Sequence, residues 1–127
     1  MVQYRSEPTR DTVCLRARLT AERQAALAHL AALGSDFEAL VDASEASNAD
    51  DEHDPEGATI AFERAQVAAL RDQAHQRLRA LDRALELLRN GAYGVCEACG
   101  EPIAAERLAA RPAASTCIDC AARRRTR

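Results

Sequence analysis

The sequence predicts a mostly α-helical fold, a long antiparallel two-helix coiled-coil hairpin followed by a small four-cysteine module. Of the 127 residues, 29 are Ala and every one of the 17 basic residues is Arg, so residues that favour helices dominate. Apolar residues recur at heptad spacing along two long segments. Four of the five cysteines form two Cys-x2-Cys pairs after the second segment. These three observations determine the expected architecture.

We expect residues 1–11 to be a flexible tail and the first helix to run from about Thr12 to Ser44. Its heptad stripe consists of Leu19, Ala26, Leu33 and Leu40, with Leu30 and Phe37 four positions after two of them. Such a stripe buries one face of a helix against a partner. Gly34-Ser35 interrupts the pattern, and a capping box from Ser35 to Glu38 is an alternative in which the helix breaks or restarts there.

The second stripe consists of Ile60, Val67, Ala74, Leu81 and Leu88, with Leu78 and Leu85 as the additional row. It ends before Asn90-Gly91, a pair typical of a left-handed helix stop after Arg89. The two stripes are mirror images, so that Leu19 is expected to face Leu81 and Ala26 to face Ala74. An antiparallel coiled coil over residues 12–90 follows, with its turn near residue 50. Arg16, Arg23, Arg64 and Arg71 fall on the second row, where their stems can cover apolar surface while their charged heads reach water.

The expected turn, residues 45–57, is acidic, with six Asp or Glu residues. Asp54-Pro55 is typical of a helix start, with Asp as the N-cap and Pro at the first helical position. The preceding carboxylates at positions 50–52 repel one another, which favours a tip that is offered to a cation or a basic surface. A merely solvated loop is the alternative interpretation. His53 among these acids is weak support for a metal site.

The cysteine spacing is the strongest chemical signal in the chain. Cys96-x2-Cys99-x17-Cys117-x2-Cys120 is typical of two turns that close a tetrahedron of thiolates around zinc. Four protein ligands leave no open position, so this zinc is expected to be structural. We therefore interpret residues 91–127 as a zinc finger with a short basic C-terminal helix. A thiol redox switch is the alternative, and Cys14 is expected to be an ordinary helix residue.

Size and charge exclude several functional classes. A chain of 13.8 kDa with 3% aromatic residues has no large enzyme core, and we expect no enzymatic activity. No run approaches the roughly 20 apolar residues of a membrane span, and the first eleven residues lack an apolar signal core, which favours a cytoplasmic protein without a membrane partner. The net charge of −3 and the lack of stacking aromatics argue against direct sequence-specific DNA binding, although Arg123–Arg125 and Arg127 leave a nucleic-acid-binding module as an alternative.

Three segments of the C-terminal part resemble the four-cysteine zinc finger of the DksA/TraR family. They are Tyr93 to Ile103 (YGVCEACGEPI), Arg107 to Pro112 (RLAARP) and Cys117 to Cys120 (CIDC). The hairpin is similar in layout to the coiled coil of that family. The resemblance implies a regulator of transcription that binds RNA polymerase, core or holoenzyme, and inserts the coiled-coil tip through the secondary channel.

The family's tip motif, Asp-x-x-Asp-x-Ala, is matched by Asp51 and Asp54, which the resemblance implies are polymerase-contacting residues. Glu56 stands where the family has Ala, and Phe62 follows at the matching spacing. Responsive family members bind guanosine tetraphosphate with basic residues that include Lys. Because this chain has no Lys, the resemblance leaves open whether it binds guanosine tetraphosphate. A factor that cleaves transcripts with a tip-bound Mg²⁺ is a further alternative.

Overall fold

In a computed structural model of the protein, the described residues are 9–48 and 55–126. They contain four helices: α1 (Arg10–Asn48), α2 (Pro55–Arg89), α3 (Ala105–Ala110) and α4 (Ile118–Arg125). The β structure among these residues is one isolated antiparallel bridge between Val95 and Pro102. None of the described helices combines the length and apolar character that crossing a membrane requires. The predicted mostly helical fold is confirmed.

Helix α1 begins two residues before the predicted start, because Thr9 caps it. The backbone N–H of Thr12 donates to Oγ1 of Thr9 at 3.3 Å, and the N–H of Val13 donates to the carbonyl of Thr9 at 3.0 Å. The helix then continues to Asn48 without interruption. The alternative of a break at Gly34-Ser35 is therefore wrong: one glycine costs a helix only about 1 kcal/mol, and the neighbouring Leu33 is buried, 6% exposed.

Both ends of α2 agree with the sequence prediction. The helix begins at Pro55, and the proposed cap Asp54 lies outside the described residues. At its other end, the N–H of Ala92 donates to the carbonyl of Leu87 at 2.9 Å and the N–H of Gly91 to that of Leu88 at 3.3 Å. These two bonds form a Schellman motif. Gly91 has φ = 74°, a left-handed conformation that glycine adopts without a steric penalty.

The described chain forms two compact units, and the first contains residues 9–23 together with 79–126. In this unit Leu19 of α1 and Leu81 of α2 are both fully buried, and Ala84 is 5% exposed. Nε of Arg23 donates to Oδ1 of Asp82 at 2.5 Å and joins the two helices at the surface. Leu19 and Leu81 are thus core residues, as the stripes predict.

The second unit contains residues 24–48 and 55–78. Its buried residues are Ala26, Leu33 and Ala74, all from the predicted stripes. The guanidinium groups of Arg64 and Arg71 lie over the ring of Phe37, 5.6 Å and 5.1 Å from its centroid. In these cation–π contacts the guanidinium groups themselves cover the apolar ring, whereas the sequence predicted that the stems would cover apolar surface and the charged heads would reach water. The contacts also join α1 to α2 at the antiparallel register that the stripes indicate.

Candidate metal centre

The first cysteine pair lies on a tight turn between Val95 and Pro102. The N–H of Cys96 donates to the carbonyl of Glu101 at 2.8 Å, and the N–H of Ile103 donates to the carbonyl of Gly94 at 2.8 Å. Gly94 has φ = 91°, a left-handed conformation that favours glycine, although an added Cβ would make only an ordinary contact with the Leu108 methyl at 3.5 Å. The turn therefore presents the Cys96 and Cys99 side chains on one side.

The second pair lies at the start of α4. Cys117 is the N-cap residue with an extended backbone, and Cys120 is in the first turn of the helix. The N–H of Ala121 donates to the carbonyl of Cys117 at 3.0 Å and closes that first turn. A cysteine at the cap and another three residues later lie on the same face of a helix start. The two pairs are thereby brought together.

The four sulfur atoms form a compact group. All four Sγ atoms of Cys96, Cys99, Cys117 and Cys120 lie within 4.8 Å of one another, and Sγ of Cys99 is 3.8 Å from that of Cys117. A tetrahedral zinc with bonds of about 2.3 Å requires sulfur separations of about 3.8 Å. The donor set and its spacing therefore fit one zinc ion. Cys14 is exposed on α1 and is not part of the group.

The surroundings of the sulfurs are partly apolar. Cys96 is 2% exposed and Cys120 is 8% exposed, and Ile103 at 5% completes this small core. The partly buried Leu108 of α3 packs against it. Two of the three buried members of this core are thus predicted zinc ligands, and Ile103 is the third. The stability of the module therefore depends on whatever occupies the sulfur group.

Hydrogen bonds make the four thiols unequal. Hydrogen bonds from the backbone, that of Cys117 first and then those of Cys99 and Ala98, oppose a smaller effect of burial and lower the pKa of Cys96 to about 6. The side-chain hydrogen bond with Cys117, followed by burial, raises the pKa of Cys120 to about 12. Four sulfurs this close cannot all ionise by themselves, because their negative charges repel. A divalent cation offsets that repulsion, which suits a thiolate metal site.

Three contacts that the sequence did not reveal stabilise this module, two of them within it and one, from Arg83, that joins it to α2. The Tyr93 hydroxyl donates to the carbonyl of the buried Pro112 at 2.6 Å. Nε of Arg83 on α2 donates to Oε1 of Glu97 at 3.2 Å, and Nε of Arg107 donates to the carbonyl of Thr116 at 2.9 Å. Heptad periodicity cannot identify these partners, because each pair is separated by nine or more residues and by irregular backbone.

The predicted tip residues are not part of this centre. The segment between the described ends of α1 and α2 contains Asp51, His53 and Asp54, which lie outside the described residues. Glu56 belongs to α2, but its side chain is likewise outside the described part of the protein. The role of Asp51 and Asp54 as polymerase-contacting residues stays a prediction. Phe62, which supports the alignment of the tip motif, is described and is 69% exposed.

Fold and site together define a helical-hairpin protein with a C4-type zinc finger. The profile of the prokaryotic DksA/TraR C4-type zinc finger matches residues 91–125, so this segment is a zinc finger of that family and the resemblance noted from the sequence is confirmed. The family match and the sulfur geometry identify zinc as the metal that the four-cysteine group can hold.

Known proteins extend the match beyond the finger. The structure of transcription factor DksA2 from Pseudomonas aeruginosa is similar with a TM-score of 0.69 and 27% identity, over 91% of this chain and 83% of that one. RNA polymerase-binding transcription factor DksA from Haemophilus influenzae is 40% identical over 50 residues, or 39% of this chain and 34% of the relative. YteA, an uncharacterized protein from Bacillus subtilis, is 39% identical over 66 residues, which are 52% of this chain and 28% of YteA. The matched segments span about a third of these curated relatives.

Proposed function

We propose that the protein is a non-enzymatic transcription regulator that binds RNA polymerase. The observation that carries this proposal is the similarity to DksA2 over 91% of the chain, because it includes both the paired helices and the finger. The relative from Haemophilus influenzae is itself named an RNA polymerase-binding transcription factor. A four-thiolate zinc has no coordination position for substrate, which supports a structural metal rather than a catalytic one.

In this proposal the finger is a structural module and the paired helices carry the contact. A zinc ion held by the four cysteines would cross-link the Cys96–Cys99 turn to the start of α4. The second unit consists of two adjacent helical segments, each about 36 Å long at 1.5 Å per residue, and a pair of helices is about 20 Å across. Such a pair can enter a channel that excludes globular domains. Asp51 and Asp54 then meet basic residues or the environment of the catalytic magnesium in the secondary channel.

The acidic tip is tested by neutralising both aspartates. Asp51→Asn with Asp54→Asn should leave the affinity for core RNA polymerase within a few-fold and should abolish the change in promoter-complex lifetime, because the amides keep the shape and lose the charge. The matched control is Asp36→Asn with Asp42→Asn, which removes the same charge from exposed positions of α1. Filter binding of open complexes measures lifetime, and a crosslinker at position 51 identifies the polymerase subunit contacted.

Two results would contradict this function. An unchanged effect on promoter complexes in the tip double variant would remove the role of Asp51 and Asp54 while leaving polymerase binding intact. A wild-type chain that fails to bind core polymerase would remove the function itself. Shortening of RNA in stalled elongation complexes would instead support the alternative of a magnesium-assisted cleavage factor.

A further inference from the structure

An exposed apolar patch lies on α2 in the second unit. Phe62 is 69% exposed. On the same helical face, Ala58 lies one turn before Phe62, and Ala65 and Ala69 lie one and two turns after it. These three alanines and the adjacent Ala61 are all exposed. We call these five residues the Phe62 patch. Single exposed apolar residues are common, but a contiguous group around an aromatic ring is typical of an interaction site.

The patch continues into a recess between the two helices. This recess has a volume of about 350 Å³ and is lined by Phe37, Ala61, Arg64, Ala65 and Ala68. Ala61 and Ala65 belong to both features. A protruding ring beside an open recess offers shape complementarity in both directions, since a partner can accept Phe62 and also insert a side chain of its own.

Packing within the protein does not account for the exposure of Phe62. The core of this unit is formed by Ala26, Leu33 and Ala74, and the ring of Phe37 is covered by two arginines. Phe62 is the most exposed of the large hydrophobic residues in the described chain. Aromatic residues, Phe among them, are enriched at protein–protein interfaces relative to the rest of the surface.

The charge of the surrounding segment restricts the class of partner. The described residues of this unit, 24–48 and 55–78, contain seven Asp or Glu residues and three Arg. This excess of negative charge repels nucleic acid, anionic lipid and the same face of a second copy of the chain. It attracts a protein surface that presents basic side chains around an apolar one.

We propose that the Phe62 patch is a docking surface for a basic protein surface with an apolar centre, and that this surface belongs to RNA polymerase. The identity of the partner rests on the proposed function. The contact is separate from the acidic tip: Phe62 supplies affinity by burying its ring, and the aspartates act on the promoter complex. Loss of the patch therefore weakens binding, whereas loss of the tip charges removes the regulatory effect.

The test measures the Kd for core RNA polymerase by biolayer interferometry. Phe62→Ala should raise Kd tenfold or more, because burying a Phe side chain contributes about 1.5–3 kcal/mol and each 1.4 kcal/mol is a factor of about ten. Phe62→Leu, which keeps an apolar side chain, should stay within about threefold of the wild type. Val13→Ala is the matched control, since Val13 is 50% exposed on α1 in the other unit.

Each outcome decides the proposal. The melting temperature of Phe62→Ala should equal that of the wild type, because the ring is exposed in the folded protein. A loss of polymerase binding in this variant then cannot come from unfolding. A Kd unchanged by Phe62→Ala overturns the docking surface and leaves the proposed function standing. A wild type that does not bind polymerase overturns both. If the wild type sediments as a dimer and Phe62→Ala sediments as a monomer, the partner assignment is overturned and the patch is an interface between two copies of the chain.

Discussion

Removal of zinc should unfold the finger and leave the helix pairing of the first unit in place. The finger's small core contains one buried apolar residue that is not a predicted ligand, Ile103, whose burial contributes about 1.5–3 kcal/mol. A four-thiolate zinc contributes an apparent 10–16 kcal/mol or so at neutral pH. The metal therefore outweighs the apolar contribution several-fold. Leu19 and Leu81, by contrast, are fully buried residues of α1 and α2, neither of which contains a cysteine of the metal group.

Amide hydrogen exchange with and without a strong chelator measures this difference. The amides of Cys96 and Ile103, which donate at 2.8 Å within the first turn, should lose protection when zinc is removed. The amide of Leu81 in α2 should keep most of its protection. A zinc-sensitive dye should report one ion released per chain. Protection of Ile103 that survives in a metal-free chain would refute the argument that the metal supplies the finger's stability.

Two cysteine variants complete this experiment. Cys120→Ser should abolish stoichiometric zinc binding, because the remaining three sulfurs cannot close the tetrahedron. Cys14→Ser should keep one zinc per chain, since Cys14 is exposed on α1 and outside the sulfur group. Equal loss of zinc in both variants would show that the metal is not held where the geometry indicates.

Two further predictions concern stability. Leu81→Ala should lower the free energy of unfolding by about 2–5 kcal/mol, because the side chain is 0% exposed. The control is Leu70→Ala, at a residue that is 41% exposed, and urea titration should give it a higher unfolding midpoint than Leu81→Ala. Equal urea midpoints for the two variants would contradict the buried role of Leu81. Tyr93→Phe should cost about 1 kcal/mol through the lost hydrogen bond to Pro112. Burial raises the pKa of Tyr93 above its usual 10. The stability that Tyr93 contributes to the folded protein is therefore complete below pH 10 and is lost as the pH rises through the pKa of Tyr93 in the folded state. The Phe variant should lack that alkaline decrease in melting temperature.

The helices were predictable because their information is local and periodic. Leu19, Ala26, Leu33, Ala74 and Leu81 are all on the predicted stripes and all buried. Gly91 marked the end of α2 because a left-handed residue there satisfies two carbonyls. The start of α1 was placed two residues late, since the cap by Thr9 has no apolar repeat to reveal it.

The metal centre was predictable in composition and not in its attachments. Two Cys-x2-Cys pairs specify four sulfurs on two tight turns, and all four are brought within 4.8 Å of one another. Spacing alone does not reveal that Ile103 and Leu108 pack beside them. The pairings of Tyr93 with Pro112 and of Arg83 with Glu97 depend on the path of irregular backbone between distant residues, which no local pattern encodes.

The amino-acid sequence by itself determined the helical class, the antiparallel register and the identity of the candidate metal ligands, because heptad repeats and cysteine spacing act over one or two turns of chain. Only the tertiary structure decided which arginines cover Phe37, which residues complete the core around the sulfurs, and that Phe62 stays exposed beside a recess. Burial is a property of what packs against a residue, and residues far apart in the chain supply those neighbours.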